Sequence, residues 1–169
     1  NLRFLGAART VTGSKYLVTL NDKKILIDCG LFQGLKELRL KNWAEFPIDP
    51  KSIDAVVLTH GHIDHSGYIP LLVKKGYRGP IYCTHSTKDL CGLLLPDAGY
   101  LQEEEANYLN KHKRSKHDPA LPLYTEADAE ECLGFLLGGL ALRVTRGSAP
   151  AGGLSPRHPG RETDGAGVV

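Results

Sequence analysis

The stretch Thr59-His60-Gly61-His62-Ile63-Asp64-His65-Ser66-Gly67 decides the fold of this 169-residue chain. An apolar run at residues 53–58 precedes it and predicts a buried strand, and residues 66–75 predict a helix. The stretch therefore occupies a strand-to-helix turn. Ligands of open α/β sheets collect outside the carboxyl ends of the strands, so a binding site is expected at this turn.

The stretch combines three histidines and one aspartate within six positions. His60 and His62 are two residues apart, so on extended backbone both imidazoles leave on the same side and can bind one cation. Asp64 and His65 follow where the chain turns and can bind a second cation. Imidazole and carboxylate without thiolate favour Zn²⁺, with Mn²⁺ or Fe²⁺ as alternatives. The other interpretation is a polar loop whose histidines only form hydrogen bonds.

The surrounding sequence predicts further strands and helices. Strands are predicted at residues 2–5, 16–20, 25–28 and 81–84, with residues 21–24 as a hairpin turn. Helices are predicted at residues 85–95, 100–114 and 125–137, and residues 31–42 are predicted to be partly helical. The capping-box sequence Thr125-Glu126-Ala127-Asp128 opens the last helix. The strand, helix and strand within residues 53–84 form a βαβ unit with parallel pairing, so the fold class is α/β.

The composition is that of a soluble globular protein, with 41% hydrophobic and 24% charged residues. A formal net charge of +2 is too small to predict a nucleic-acid partner by itself. No apolar run is long enough to span a membrane, so we expect no membrane partner. The four cysteines lack a Cys-x-x-Cys pair, which is typical of reduced, mostly buried thiols in a cytoplasmic protein.

Three polar features have both a functional and a structural interpretation. Asp28 ends a predicted strand, where its carboxylate could hydrogen-bond a metal-binding imidazole or cap local backbone amides. The basic run at residues 111–117 could contact phosphates or form a solvated loop. His85 lies at the same strand-end edge as the histidine motif and could face the site, but it is predicted to face solvent.

The far end of the chain differs in composition from the rest. Residues 143–169 are dense in Gly, Pro, Ala and Arg without apolar periodicity, which is typical of a disordered tail. We therefore predict a packed domain at residues 1–137 and a disordered or aberrant tail at residues 138–169. The chain has no Met and begins with Asn1, so we expect that its natural N terminus is missing.

The pattern His60-x-His62-x-Asp64-His65 resembles the signature of the metallo-β-lactamase fold. Three further segments narrow the resemblance to bacterial β-CASP proteins, the RNA-processing branch that includes ribonuclease J and the polyadenylation endonuclease. These segments are GAARTVTGS at residues 6–14, DCGLFQG at 28–34 and LYTEAD at 123–128. The resemblance covers roughly residues 2–137 and implies the N-terminal half of an αββα sandwich, followed by an irregular C-terminal tail.

The resemblance also implies a function. In that family His60 and His62 would bind one Zn²⁺, and Asp64 and His65 would bind the other. The implied reaction is RNA phosphodiester hydrolysis by a hydroxide that both ions activate. Asp28 would orient the site and Asp64 would also position the nucleophilic water, which makes both aspartates catalytic candidates. RNA is the implied partner, endonuclease and exonuclease action both stay open, and so does a homo-oligomer.

The later motifs of the family do not follow in this sequence. The family has a histidine in an Ala-Gly-His context after the helix that begins near Thr125, and then a bridging aspartate. His158 and Asp164 lack that context and receive no role. We therefore expect a truncated fragment, weakly active or inactive, with an open sheet face. Two other functions stay open: a dizinc small-molecule hydrolase of thiolesterase or lactonase type, and a non-catalytic module that binds metal or RNA.

Overall fold

Six strands form one mixed sheet in the order β1-β2-β3-β4-β5-β6 in a computed structural model, which describes residues 1–115 and 117–139. The strands are Leu2–Phe4 (β1), Tyr16–Leu20 (β2), Lys23–Ile27 (β3), Ala55–Val57 (β4), Ile81–Cys83 (β5) and Leu136–Gly138 (β6). β1, β2 and β3 pair antiparallel, whereas β3 through β6 pair parallel. The α/β fold class and the parallel βαβ unit predicted from the sequence are confirmed.

Five α-helices connect or flank these strands in the described residues. They are Lys36–Leu40 (α1), Ile63–Ser66 (α2), Ile69–Lys74 (α3), His85–Lys111 (α4) and Glu126–Leu133 (α5), with short 3₁₀ turns at Lys41–Trp43 and Pro50–Ser52. Across residues 1–115 and 117–139, no helix is long and apolar enough to cross a membrane.

One face of the sheet forms the core. Neighbouring strands align a row of side chains that are each at most 2% exposed: Leu17, Leu26, Val56, Ile81 and Leu136. Apart from Leu17, this row packs in one cluster with buried residues of α3, α4 and α5. Burial of each such side chain contributes about 1.5–3 kcal/mol, so this face holds the strands in register.

The opposite face carries a second apolar row that is only partly buried. Its members are aligned across the strands: Tyr16, Ile27, Val57, Tyr82 and Leu137. Tyr82 is 38% exposed and Leu137 is 47% exposed. Parallel sheets normally bury both faces, and the described residues leave this one partly open, as expected from the sequence.

The prediction of one helix at residues 66–75 is wrong in its start and in its continuity. Helix α2 already begins at Ile63, and Gly67 and Tyr68 separate α2 from α3. Pro70 sits in the first turn of α3, where its missing N–H costs no hydrogen bond. Asp64 and His65 therefore lie in a four-residue helix and not in a loop.

Two other predictions of helix boundaries are corrected. The predicted gap between residues 95 and 100 is helical: α4 continues through Pro96, although proline removes a backbone donor and crowds the preceding turn. Gly99 lets α4 approach the start of α5, since a Cβ there would lie 2.7 Å from the Thr125 carbonyl oxygen. The helix predicted to reach residue 137 ends at Leu133, because residues 136–138 pair with β5 as an edge strand.

The hairpin turn is shorter than predicted. Asn21 and Asp22 both have positive φ, at 47° and 62°, which forms a two-residue turn suited to the twist of antiparallel strands. Lys23 and Lys24 therefore belong to β3. The predicted tail beyond residue 139, with His158 and Asp164, lies outside the described residues, and the boundary at residue 137 stays a prediction.

Candidate metal centre

The candidate site lies where parallel strands end. Asp28 directly follows β3, His60 follows β4, and His85 follows β5. Because β3, β4 and β5 are neighbours and parallel, their carboxyl ends share one edge of the sheet, where α/β folds bind ligands. His85 is exposed in the first turn of α4, which agrees with the prediction that it faces solvent.

Backbone hydrogen bonds hold helix α2 against the loop that follows β3. The Cys29 amide donates to the His65 carbonyl at 2.7 Å, and the Leu31 amide donates to the Ile63 carbonyl at 3.0 Å. Between them, a Cβ on Gly30 would lie 1.6 Å from the Asp64 carbonyl oxygen. Only glycine permits this approach, so the loop at residues 28–34 sets the position of α2.

Asp28 is the centre of the hydrogen-bond network. Its side chain is buried, with the residue 2% exposed. Its Oδ1 accepts hydrogen bonds from the Thr59 amide and the Thr59 hydroxyl, both at 2.9 Å. Its Oδ2 accepts from the Ser14 hydroxyl at 3.0 Å and from His65 Nδ1 at 2.8 Å. Asp28 thus orients an imidazole and also holds the end of β4 and the loop at residues 6–14 (the leader loop).

Sequence reasoning assigned no role to Ser14 or Thr59, which complete this network. Thr59 Oγ1 also lies 3.0 Å from His60 Nδ1. The available signal was their hydroxyl side chains, one closing the GAARTVTGS segment and the other opening the histidine motif. Hydroxyls are common partners of buried carboxylates and ring nitrogens.

His60 and His62 have the spacing of two ligands on one ion. His60 Nε2 lies 3.2 Å from His62 Nδ1, and two nitrogens on a tetrahedral zinc lie about 3.3–3.4 Å apart. The Thr59 contact occupies Nδ1, so His60 would bind a metal through Nε2. Burial, followed by the neighbouring His65 and His62, lowers the pKa of His60. The neutral imidazole that results is the form that binds metal.

Asp64 and His65 form the second candidate pair. His65 Nε2 lies 3.6 Å from Asp64 Oδ2, close to the separation of about 3.4 Å expected for a nitrogen and an oxygen on one tetrahedral zinc. The hydrogen bond to Asp28 places the His65 proton on Nδ1 and directs the Nε2 lone pair outward, an arrangement common in zinc sites. The donor chemistry and spacing of both pairs fit zinc.

The two pairs are adjacent but do not merge into a complete cage. The ring centroids of His60 and His65 are 3.9 Å apart. Across residues 1–115 and 117–139, no group of three or more His, Cys, Asp or Glu side chains converges so as to hold one ion. The described part of the chain therefore brings together candidate ligands in pairs only.

Comparison with known proteins gives the family. A family model for the metallo-beta-lactamase superfamily matches residues 9–155. The ribonuclease TTHA0252 of Thermus thermophilus is 43% identical over 131 residues, which is 78% of this chain and 26% of that protein. The transcription termination factor FttA of Methanocaldococcus jannaschii is 37% identical over 130 residues, 77% of this chain and 18% of the relative.

An Integrator complex subunit 11 homolog of Dictyostelium discoideum is 36% identical over 113 residues, which is 63% of this chain and 15% of that protein. The chain thus spans about a quarter or less of the length of these relatives. A solved metallo-β-lactamase of Cronobacter sakazakii is 23% identical, with a TM-score of 0.39 over 53% of this chain and 31% of that one. The chain belongs to the metallo-β-lactamase superfamily, and its relatives confirm the resemblance to the β-CASP proteins.

Proposed function

We propose that this chain forms part of a zinc-dependent RNA-processing hydrolase that cleaves phosphodiester bonds. The observation that carries the proposal is the Asp28–His65 hydrogen bond of 2.8 Å, which orients one of two adjacent ligand pairs. Relatives named as a ribonuclease, a termination factor and an Integrator subunit support RNA as the substrate class.

Each site residue has a separate role in this proposal. His60 and His62 hold one ion, and Asp64 and His65 hold the other. Zinc at such sites polarises a phosphoryl oxygen and lowers the pKa of water. Asp28 keeps the His65 proton on Nδ1. The Asp64 carboxylate, only partly buried, can accept a hydrogen bond from a water molecule and orient it toward the phosphorus.

A cleavage assay on end-labelled single-stranded RNA tests the proposal. Zinc added to chelator-treated protein should produce cleavage above the metal-free level, and His62→Ala should remove it. His85→Ala is the matched control, because His85 is an exposed histidine at the same sheet edge, and it should keep the zinc-dependent signal. We expect weak activity, because the described residues give each ion only two ligands.

Two outcomes would contradict the proposal. Zinc-dependent hydrolysis of a thioester or lactone without RNA cleavage would favour a small-molecule hydrolase. Zinc and RNA binding without any cleavage, in this chain and in a longer form that supplies further ligands, would favour a non-catalytic module. The position of the cuts along the RNA distinguishes endonuclease from exonuclease action.

We further propose a cytoplasmic location, supported by the four cysteines, which are all free and buried. Fractionation of cells that express the protein tests this location. A homo-oligomer stays a prediction, which sedimentation velocity tests directly.

A further inference from the structure

A pocket of about 380 Å³ lies beside the leader loop, apart from the histidine motif. Its walls include Phe4, Lys15, Phe32, Lys41 and Tyr68. Lys15 follows Ser14, which hydrogen-bonds Asp28, so the pocket and the candidate metal centre share one loop. Neither His60 nor any other candidate metal ligand lines it.

Lys15 is an incompletely satisfied buried cation in this pocket. It is 3% exposed, and its ammonium group donates to the Gly30 carbonyl. Among residues 1–115 and 117–139, that carbonyl is its one hydrogen-bond acceptor, and no carboxylate lies within ion-pair distance. An ammonium has three donors, and a buried charge is costly unless it is paired. Burial accordingly lowers the pKa of Lys15.

Aromatic rings alternate with lysines around this ammonium. Lys15 Nζ lies 4.6 Å from the Phe32 ring centre and 4.7 Å from the Tyr68 ring centre. Lys41 Nζ lies 5.4 Å from the Phe32 ring centre. Glu45 is the one acidic residue among the pocket walls, so cations dominate. The two rings stabilise the Lys15 charge but give it no hydrogen-bond acceptor.

The mouth of the pocket carries an exposed ring. Phe4 lies on β1 and is 61% exposed, and its ring packs at nearly a right angle to the Tyr16 ring at a centroid distance of 5.5 Å. Proteins that bind single-stranded nucleic acids combine lysines for the phosphates with exposed aromatic rings on which bases stack. The pocket supplies both elements within one cavity.

We propose that this pocket binds one nucleotide of a single-stranded RNA, with its phosphate held by Lys15 and Lys41 and its base stacked on Phe4. This inference rests on the proposed RNA-processing function and assigns part of its substrate contact. A phosphate oxygen supplies the acceptors that the Lys15 ammonium lacks, and its negative charge compensates the buried positive charge.

Fluorescence anisotropy with a short, labelled single-stranded RNA in EDTA tests this assignment, because binding is then measured without cleavage. Lys41→Gln should weaken binding about tenfold and reduce the salt slope by about 0.7. Phe4→Ala should weaken binding by about tenfold as well. Lys36→Gln is the matched control, because Lys36 is an exposed lysine of the neighbouring α1 outside the pocket, and its affinity should stay within about twofold.

Lys15→Met removes the buried charge, so this variant should bind RNA more weakly if circular dichroism shows that it folds. Lys41→Gln and Phe4→Ala test the proposal even if Lys15→Met does not fold. Inorganic phosphate should compete with the RNA at this site, and a nucleoside without phosphate should compete far less. The proposal is overturned if RNA does not bind, if Lys41→Gln and Phe4→Ala bind as tightly as Lys36→Gln, or if phosphate occupies the pocket without displacing RNA. Failure of the proposed hydrolase function would appear separately, as absent zinc-dependent cleavage while RNA binding in EDTA still depends on Lys41.

Discussion

Replacement of Asp28 by Asn should weaken zinc binding by changing the tautomer of His65. Asp28 Oδ1 accepts two hydrogen bonds from Thr59, one of them from a backbone amide that cannot turn. The amide oxygen of an Asn must therefore occupy the Oδ1 position, which leaves its NH₂ group facing His65 Nδ1. Two donors cannot share a hydrogen bond, so the His65 proton moves to Nε2, the nitrogen proposed to bind metal.

The expected loss is that of a carboxylate partner behind a metal-binding histidine, about 10–100-fold in affinity or roughly 1.4–2.7 kcal/mol. Asn also accepts the positive φ of 57° at this position, since Asn and Asp tolerate left-handed backbone. The metal-free variant should therefore fold, with a loss in unfolding free energy of about 1–3 kcal/mol for the weakened hydrogen bonds.

Competition against a chromophoric zinc chelator measures the affinity, and urea unfolding monitored by circular dichroism measures the stability. Asp49→Asn is the matched control, because Asp49 is an exposed aspartate that caps the Pro50–Ser52 turn. It removes the same charge and should leave zinc affinity unchanged. Equal zinc affinity in Asp28→Asn and Asp49→Asn would refute the proposed link between Asp28 and His65.

Three further predictions concern folding. Gly30→Ala should lower the unfolding free energy by at least about 3 kcal/mol, because its Cβ would overlap the Asp64 carbonyl. Gly92→Ala is the control: Gly92 has open space around it in α4, so this substitution should raise the unfolding free energy by about 0.5–1 kcal/mol. Similar urea midpoints for the two variants would contradict the prediction. Burial acts to raise the pKa of Asp128, but hydrogen bonds, the largest from Lys74, outweigh it and hold this pKa below the ordinary 3.8. The carboxylate thus stabilises the fold above its unfolded pKa, and this stabilisation is lost as the pH falls through the lowered folded pKa. The stability advantage over Asp128→Asn should therefore shrink as the pH of urea titrations falls from about 5 to 3, and an undiminished advantage at pH 3 would contradict it. Burial raises the pKa of four cysteine thiols: Cys29, Cys83, Cys91 and Cys132. These thiols should resist a thiol reagent at pH 8 until urea unfolds the chain. Rapid labelling of the native protein would contradict their burial.

The local sequence was enough to predict the histidine pair of the candidate metal centre. The apolar run before Thr59 and the spacing of His60 and His62 predicted a strand end with paired ligands, and both side chains lie at the carboxyl edge of β4. The strand-end position of Asp28 allowed either a hydrogen bond to an imidazole or a cap on local backbone amides, and only the family resemblance favoured the imidazole. The prediction of the histidine pair depends on strand alternation and on side-chain chemistry, which the sequence displays directly.

The remaining errors depend on contacts between distant parts of the chain. Residues 136–138 have no local preference strong enough to reveal that β5 provides a pairing partner. Helix α4 continues through Pro96 and packs against α5 in the tertiary structure, where Gly99 lets the start of α5 approach closely. The position of Lys15 between two aromatic rings also follows from tertiary structure, since Phe32 and Tyr68 are far from it in sequence.

Zinc K-edge X-ray absorption of the zinc-loaded chain tests whether the Thr59–Gly67 motif binds the metal. We expect nitrogen and oxygen neighbours at about 2.0–2.2 Å with imidazole scattering, and a loss of that scattering when His60 and His62 are both replaced by Ala. Sulfur neighbours at about 2.3 Å, or an unchanged spectrum in the double variant, would contradict it, because zinc would then be bound by cysteines or by other groups outside the Thr59–Gly67 motif.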